Sequence, residues 1–254
     1  MSTAIVVALI SGGVSLAAAS VSLLSARNVA RLNSRLEEER RVRTKQEQAD
    51  ELRARYRDPL IGAVFDLQSR LYNVVAKDFL VRYCHGDGAG SREYAVENTL
   101  YVLAEYLGWV EIIRREIQFL DLGEQLANRR WVTTLERVRD TLARDDLDAT
   151  LRVFRGEQRA IGELMTLAAG APEGGRPNET RGYASFVMQR QQPDFARWFQ
   201  KLEADVELLA REPAAHLERP ILLQHALIDV LDVLDPDCNR FASERRTRLE
   251  ATVS

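Results

Sequence analysis

The sequence predicts an all-α protein: an N-terminal transmembrane helix that continues into a helical stalk, followed by a multi-helix bundle. Three observations predict it. Apolar residues recur at spacings of three and four along most of the chain. Runs of period two bounded by hairpin turns are nearly absent. The first twenty-six residues carry no charged side chain, whereas arginines crowd the stretch that follows.

The uncharged block Thr3–Ala26 has the length of a membrane span, which needs about twenty apolar residues as a helix. Ile5, Val6, Val7, Leu9, Ile10, Val14, Leu16, Val21, Leu23 and Leu24 supply its apolar character, and Ser11, Gly12, Gly13, Ser15, Ser20 and Ser22 dilute it. A buried or interfacial helix is one alternative. A cleaved signal peptide is another, but Met1–Ala4 lacks the basic start that such a peptide carries. Arg27, Arg31 and Arg35 lie on the carboxyl side, and basic flanks tend to stay in the cytoplasm. The expectation is a single-pass protein of the cell membrane with its body in the cytoplasm and the lipid bilayer as a partner.

Residues 1–26 are thus the anchor and 27–57 a charged stalk, partly coiled coil. Residues 58–236 form the bundle, and 237–254 are expected to be a flexible tail. Within the anchor, Ala4, Ala8, Ser11, Ser15, Ala18, Ser22 and Ser25 alternate spacings of four and three. Val29, Leu32 and Leu36 continue the same heptad register. Small residues let helices approach closely in lipid, so a homo-oligomer through the anchor is expected. A monomeric span whose small residues reflect composition is the alternative. The seam fails after Leu36, where Glu39, Arg43 and Gln46 occupy it. A second partial seam runs through Val42, Ala49, Leu52 and Tyr56. A basic stretch can touch anionic headgroups, but interspersed acids make a solvated, salt-bridged face the simpler reading.

Asp58-Pro59 predicts a break, with a new helix over 59–82. Gly86, Gly88 and Gly90 mark a loop. The next helix, 92–122, is apolar on nearly every side and therefore central; Gly108 in its middle implies a close neighbour there. Further helices are predicted over 124–144, 151–168, 183–210 with a nick at Pro193, and 220–234. A long loop over 170–182 lies between two of them. In the fifth helix Val153, Phe154, Ile161, Leu164 and Met165 are expected to point inward.

With 254 residues, 46% of them hydrophobic, and a net charge of −3, the chain suits an anchor plus one domain of ordinary size. The near-neutral balance argues against nucleic acid as a partner. Cys84 and Cys238 form no disulfide framework and are expected to be free, buried thiols. No phosphate-binding loop occurs, and the alternating glycines at 86–90 follow a helix rather than the strand a dinucleotide fingerprint needs.

Arg155, Arg159 and Glu163 share one helix face, and two arginines four apart can grip a phosphate or carboxylate. Together with Glu97 they are the candidate ligand-binding residues; the alternative is an exposed face on which Glu163 pairs with Arg159. Gly156 and Gly162 beside them could admit a backbone or ligand. Glu111 and Arg115 have ion-pair spacing. His225, Asp229 and Asp232 could ligate a divalent ion, but more simply line a solvent face. Adjacency alone does not make Cys84 and His85 a thiol–base pair. No catalytic residue, metal or cofactor is therefore expected. The functional expectation is a membrane-tethered, cytoplasm-facing helical interaction or scaffold module without catalytic activity, acting on a protein partner that the sequence does not identify. The alternative is a membrane-associated enzyme or ligand sensor with a polar pocket around Arg155, Arg159 and Glu97.

Overall fold

The computed structural model describes the backbone of residues 2–85, 91–119, 126–167 and 178–250. Within those ranges it describes no side chains for 2–28, 30, 45–46, 48–54, 116–119 and 126–129. The chain divides into two compact units, Met1–Arg53 and Ala54–Ser254. The secondary structure is helical. The strand-like exception among the described residues is one antiparallel bridge, Thr166 with Thr180.

The first unit is the early part of α1 (Ser2–Ala76). Val29, Leu32, Leu36 and Val42 stand exposed on it. Among the described residues no helix is long and apolar enough to cross a membrane. The expected span, Thr3–Ala26, and the whole of its small-residue seam lie outside the described side chains.

The second unit begins with the last turns of α1 and contains α2 (Phe79–Cys84), α3 (Ser91–Phe119), α4 (Leu126–Ala143), α5 (Arg155–Met165), α6 (Tyr183–Gln189), α7 (Pro193–Ala196), α8 (Gln200–Arg211) and α9 (Glu218–Leu234). The centre is α3, as its all-round apolar character requires. It packs on α2, α5, α6 and α8, while α4 packs on α9. Val102, Leu103, Ala104, Tyr106, Leu107, Trp109, Ile112 and Ile113 are all buried. Two glycines set the crossing with α5. A Cβ on Gly108 would come within 2.7 Å of Thr180 Cγ2 and 2.9 Å of Met165 Cβ, and one on Gly162 within 2.7 Å of Leu107 O.

Several predicted boundaries are corrected. Pro59 does not end a helix: α1 runs through it to Ala76. Proline inside a helix costs about 3 kcal/mol, offset here by burial of Tyr56, Leu60, Ile61 and Val64 around it. The break falls later, at Asp78, whose φ of 49° places it in the left-handed region that Asp tolerates better than most residues. The fifth helix starts at Arg155 rather than 151. Leu151 and Val153 are buried, but as loop residues, and Leu151 has φ 54°. Phe154 is exposed, not inward. The expected helix 183–210 is three helices, because Pro193 opens α7 and a cluster of Phe186, Phe195 and Phe199 fills the bends.

The expected tail is also different. Residues 238–250 lie against α1 and α9, with Arg246 and Leu249 buried. The loops at 86–90 and 168–177 lie outside the described residues.

Candidate functional site

The four candidate residues do not form one cluster: Arg159 and Glu163 face each other on α5, and Arg155 and Glu97 have separate partners. Arg155, on the first turn of α5, donates to Glu136 at 2.8 Å and to Asp140, both on α4. Arg159 faces Glu163 at 3.9 Å, and Glu163 also faces Arg115 at 3.7 Å. Glu97 on α3 has other partners: buried Arg190 joins it at 3.3 Å and Glu203 of α8 at 2.6 Å. Each candidate charge is therefore met by a protein charge. Gly162 is occupied by the α3 backbone, whereas nothing lies within 4 Å of a Cβ placed on Gly156.

The expected Glu111–Arg115 pair is present at 2.8 Å, with Arg114 as a second donor at 2.7 Å. Burial alone would push the Glu111 carboxyl up. Hydrogen bonds from the two guanidinium groups hold it below the usual carboxylate range. His225, Asp229 and Asp232 hold other partners: His225 Nε2 lies 2.7 Å from Leu249 O, and Asp229 accepts from Arg137 at 2.7 Å and Arg248 at 2.8 Å. Asp232 faces Arg248 at 3.4 Å. No group of three metal-ligating side chains occurs among the described residues. His85 lies against Val81 O, and burial pushes the Cys84 thiol up, away from the thiolate a nucleophile needs.

The residues that do converge come from α1, α9 and the chain end. Gln68 of α1 donates to Arg245 O at 3.2 Å. Gln224 of α9 donates to Thr247 O at 2.8 Å and accepts from Leu249 N at 3.2 Å. Phe65 stacks on Phe241 with ring centroids 3.6 Å apart. Arg57 donates to Leu234 O at 2.6 Å, and Asp58 pairs with Arg240. Beside these contacts a cleft of about 490 Å³ opens between α1 and the chain end. Tyr72, Asn73, Glu244 and Arg245 bring a phenol, an amide, a carboxylate and a guanidinium to it.

Asp235 and Arg246 fasten this arrangement. Arg246 donates to Asp235 O at 2.9 Å, to Phe241 O at 3.0 Å and to the Asp235 carboxylate. Burial would raise the Asp235 carboxyl. The main-chain N–H groups of Arg240, Asn239 and Phe241, and then the Arg246 charge, outweigh it and hold the group low.

Sequence reasoning did not find Gln68 and Gln224. A signal existed: each is an amide on an apolar stripe, Gln68 between Val64 and Leu71, Gln224 between Pro220 and Leu227. A polar residue in that position must find a partner when buried.

No protein-family model, no curated protein and no solved structure matches this chain. The functional reading therefore rests on the residues themselves.

Proposed function

We propose that this chain is a membrane-tethered helical interaction module, with its body in the cytoplasm and no catalytic role. One observation carries the reading. The uncharged block Thr3–Ala26 runs straight into a charged helix on which Val29, Leu32 and Leu36 are exposed in the heptad register of the anchor's small residues. An anchor that sets copies side by side in one plane raises their effective concentration. A seam with Val at one core position and Leu at the next suits a two-stranded coil. The pairing of Arg155, Arg159, Glu163 and Glu97 with protein charges supports an interaction role over a pocket at those residues.

Fractionation tests the tether. The full chain should sediment with membranes and a chain starting at Arg27 should not; equal recovery of both in the soluble fraction would remove the anchor. A reporter active only in the cytoplasm, fused after Ser254, should be active. Crosslinking tests the seam: Ser15→Phe and Ala18→Phe should raise the monomer fraction, and Val14→Phe and Val21→Phe should do so less.

A second reading rests on the cleft between α1 and residues 244–247. A ligand sensor would hold a small polar molecule there rather than at Arg155, Arg159 and Glu97. Under that reading Tyr72→Ala and Arg245→Ala should abolish a ligand's thermal stabilisation without lowering the melting temperature of the free protein.

A further inference from the structure

The way residues 238–250 are held differs from the way the helices hold one another. Side chains of the bundle grip the main chain of this segment at four points: Gln68 on Arg245 O, Gln224 on Thr247 O and Leu249 N, and His225 on Leu249 O. Three of the segment's own side chains act as anchors. Phe241 stacks on Phe65, Arg246 enters the end of α9 beside Asp235, and Leu249 is buried. Arg248, between two anchors, pairs with the exposed edge formed by Asp229 and Asp232. The segment contains one 3-10 turn, Ser243–Arg245, and the non-helical residues after it carry three of the four main-chain contacts. Main-chain hydrogen bonds for affinity and spaced side-chain pockets for selectivity are how proteins bind peptides.

The join to α9 suits exchange. Pro236 and Asp237 are exposed, and Cys238 adopts φ 54°, a left-handed conformation that a non-glycine residue rarely holds. A short strained hinge before a segment that packs on its own body favours domain swapping between copies. The cleft along the same wall, lined by Tyr72 and Asn73 on one side and Glu244, Arg245 and Thr247 on the other, leaves about 490 Å³ unfilled beside the segment.

We infer that the α1–α9 groove is a peptide-binding groove, filled in cis by this chain's residues 238–250 and able to take the same segment of a second copy in trans. The recognised pattern is an aromatic residue, an arginine five positions on and a leucine three further on. This inference does not depend on the membrane reading, since every residue it uses lies in the second unit.

The test begins with the full-length protein, folded and purified with a protease recognition sequence inserted after Asp237, and then cut. The released fragment should stay bound after cutting. A fluorescent synthetic peptide of residues 238–250 stands for the second copy's segment. It should exchange into the cut protein, read as a rise in anisotropy, and should bind the uncut protein at least tenfold more weakly. Peptides carrying Arg246→Ala or Leu249→Ala should compete at least tenfold less well. The inference fails if the fragment never exchanges below the melting temperature. It also fails if the fragment leaves and the peptide does not rebind, or if the alanine peptides compete equally. Equal binding to cut and uncut protein would place the peptide elsewhere and overturn it too.

Discussion

Arg246 and Asp235 form an ion pair from which water is almost wholly excluded: their side chains are 4% and 3% exposed. Breaking such a pair by removing one partner costs about 3–5 kcal/mol. Without Arg246, Asp235 would keep its bonds from the Asn239 and Arg240 N–H groups but lose its buried counter-charge. Arg246→Ala should therefore lower stability by that order in chemical denaturation. Asp235→Asn with Arg246→Met should recover part of the loss, because neither replacement carries a charge. A double variant no more stable than Arg246→Ala would show that the main-chain bonds of the guanidinium, not the ion pair, hold the segment.

The two glycines of α5 should respond in opposite directions to alanine. Gly156 has open space where a Cβ would go, so Gly156→Ala should stabilise by about 0.5–1 kcal/mol through helix propensity. Gly162→Ala puts a methyl group within 2.7 Å of both Leu107 O and Glu111 Cβ. It should destabilise, and loosen the Glu111 ion pairs with it. Thermal melts of the two variants side by side check the sign.

Leu107 and Arg155 separate core from surface. Leu107 is buried at the centre of α3, so Leu107→Ala should cost about 2–5 kcal/mol. Arg155 is 44% exposed and meets its carboxylates at the surface, where such pairs contribute about 0.2–1 kcal/mol. Urea unfolding that gave Arg155→Ala the larger loss would overturn this division.

Acidic groups should give the stability two opposing pH responses. Asp235 has its folded pKa below the unfolded value, so its stabilisation is fully present above about pH 4–5 and disappears as pH falls through the folded pKa. Glu105 is the reverse. Burial raises it, Tyr101 lowers it through a hydrogen bond, and nearby Asp66 raises it again, with a net upward shift. Its ionised form is thus penalised in the folded state at neutral pH. Glu105→Gln should raise the melting temperature at pH 7, and the difference should shrink towards pH 4. A constant difference across that range would contradict the assignment.

What could be read in the sequence follows from how local the cause is. The central helix, the close approach at Gly108 and the Glu111–Arg115 pair depend on spacing within one helix, and spacing is visible. The start of the fifth helix at 151 and the inward place of Val153 on it do not hold, because burial in a loop and burial on a helix demand the same apolar residues. The tail was misread because Arg246 and Asp235 look like solvated charges until distant residues exclude water from them. The groove residues escaped for a similar reason: Gln68 meets its partner 177 positions away. Of the candidate site, the charges Arg155, Arg159 and Glu97 were legible as residues, but not their separate destinations, which depend on how α3, α4, α5 and α8 are set against one another.

Arg219 carries a last consequence. It is fully buried and donates only to main-chain carbonyls: Thr141, Leu142, Arg144, Asp148 and Thr150. The turn between α4 and α5 is thus held by a residue that leaves the ribosome 69 or more positions after the carbonyls it binds. Of those carbonyls, Leu142 O also accepts from the Val153 N–H at 2.9 Å within the turn itself; the others meet the Arg219 guanidinium only once α9 has been made. Arg155 can bridge α5 to Glu136 and Asp140 of α4 as soon as α5 exists, but the turn between the two helices gains its buried guanidinium only when α9 has been made.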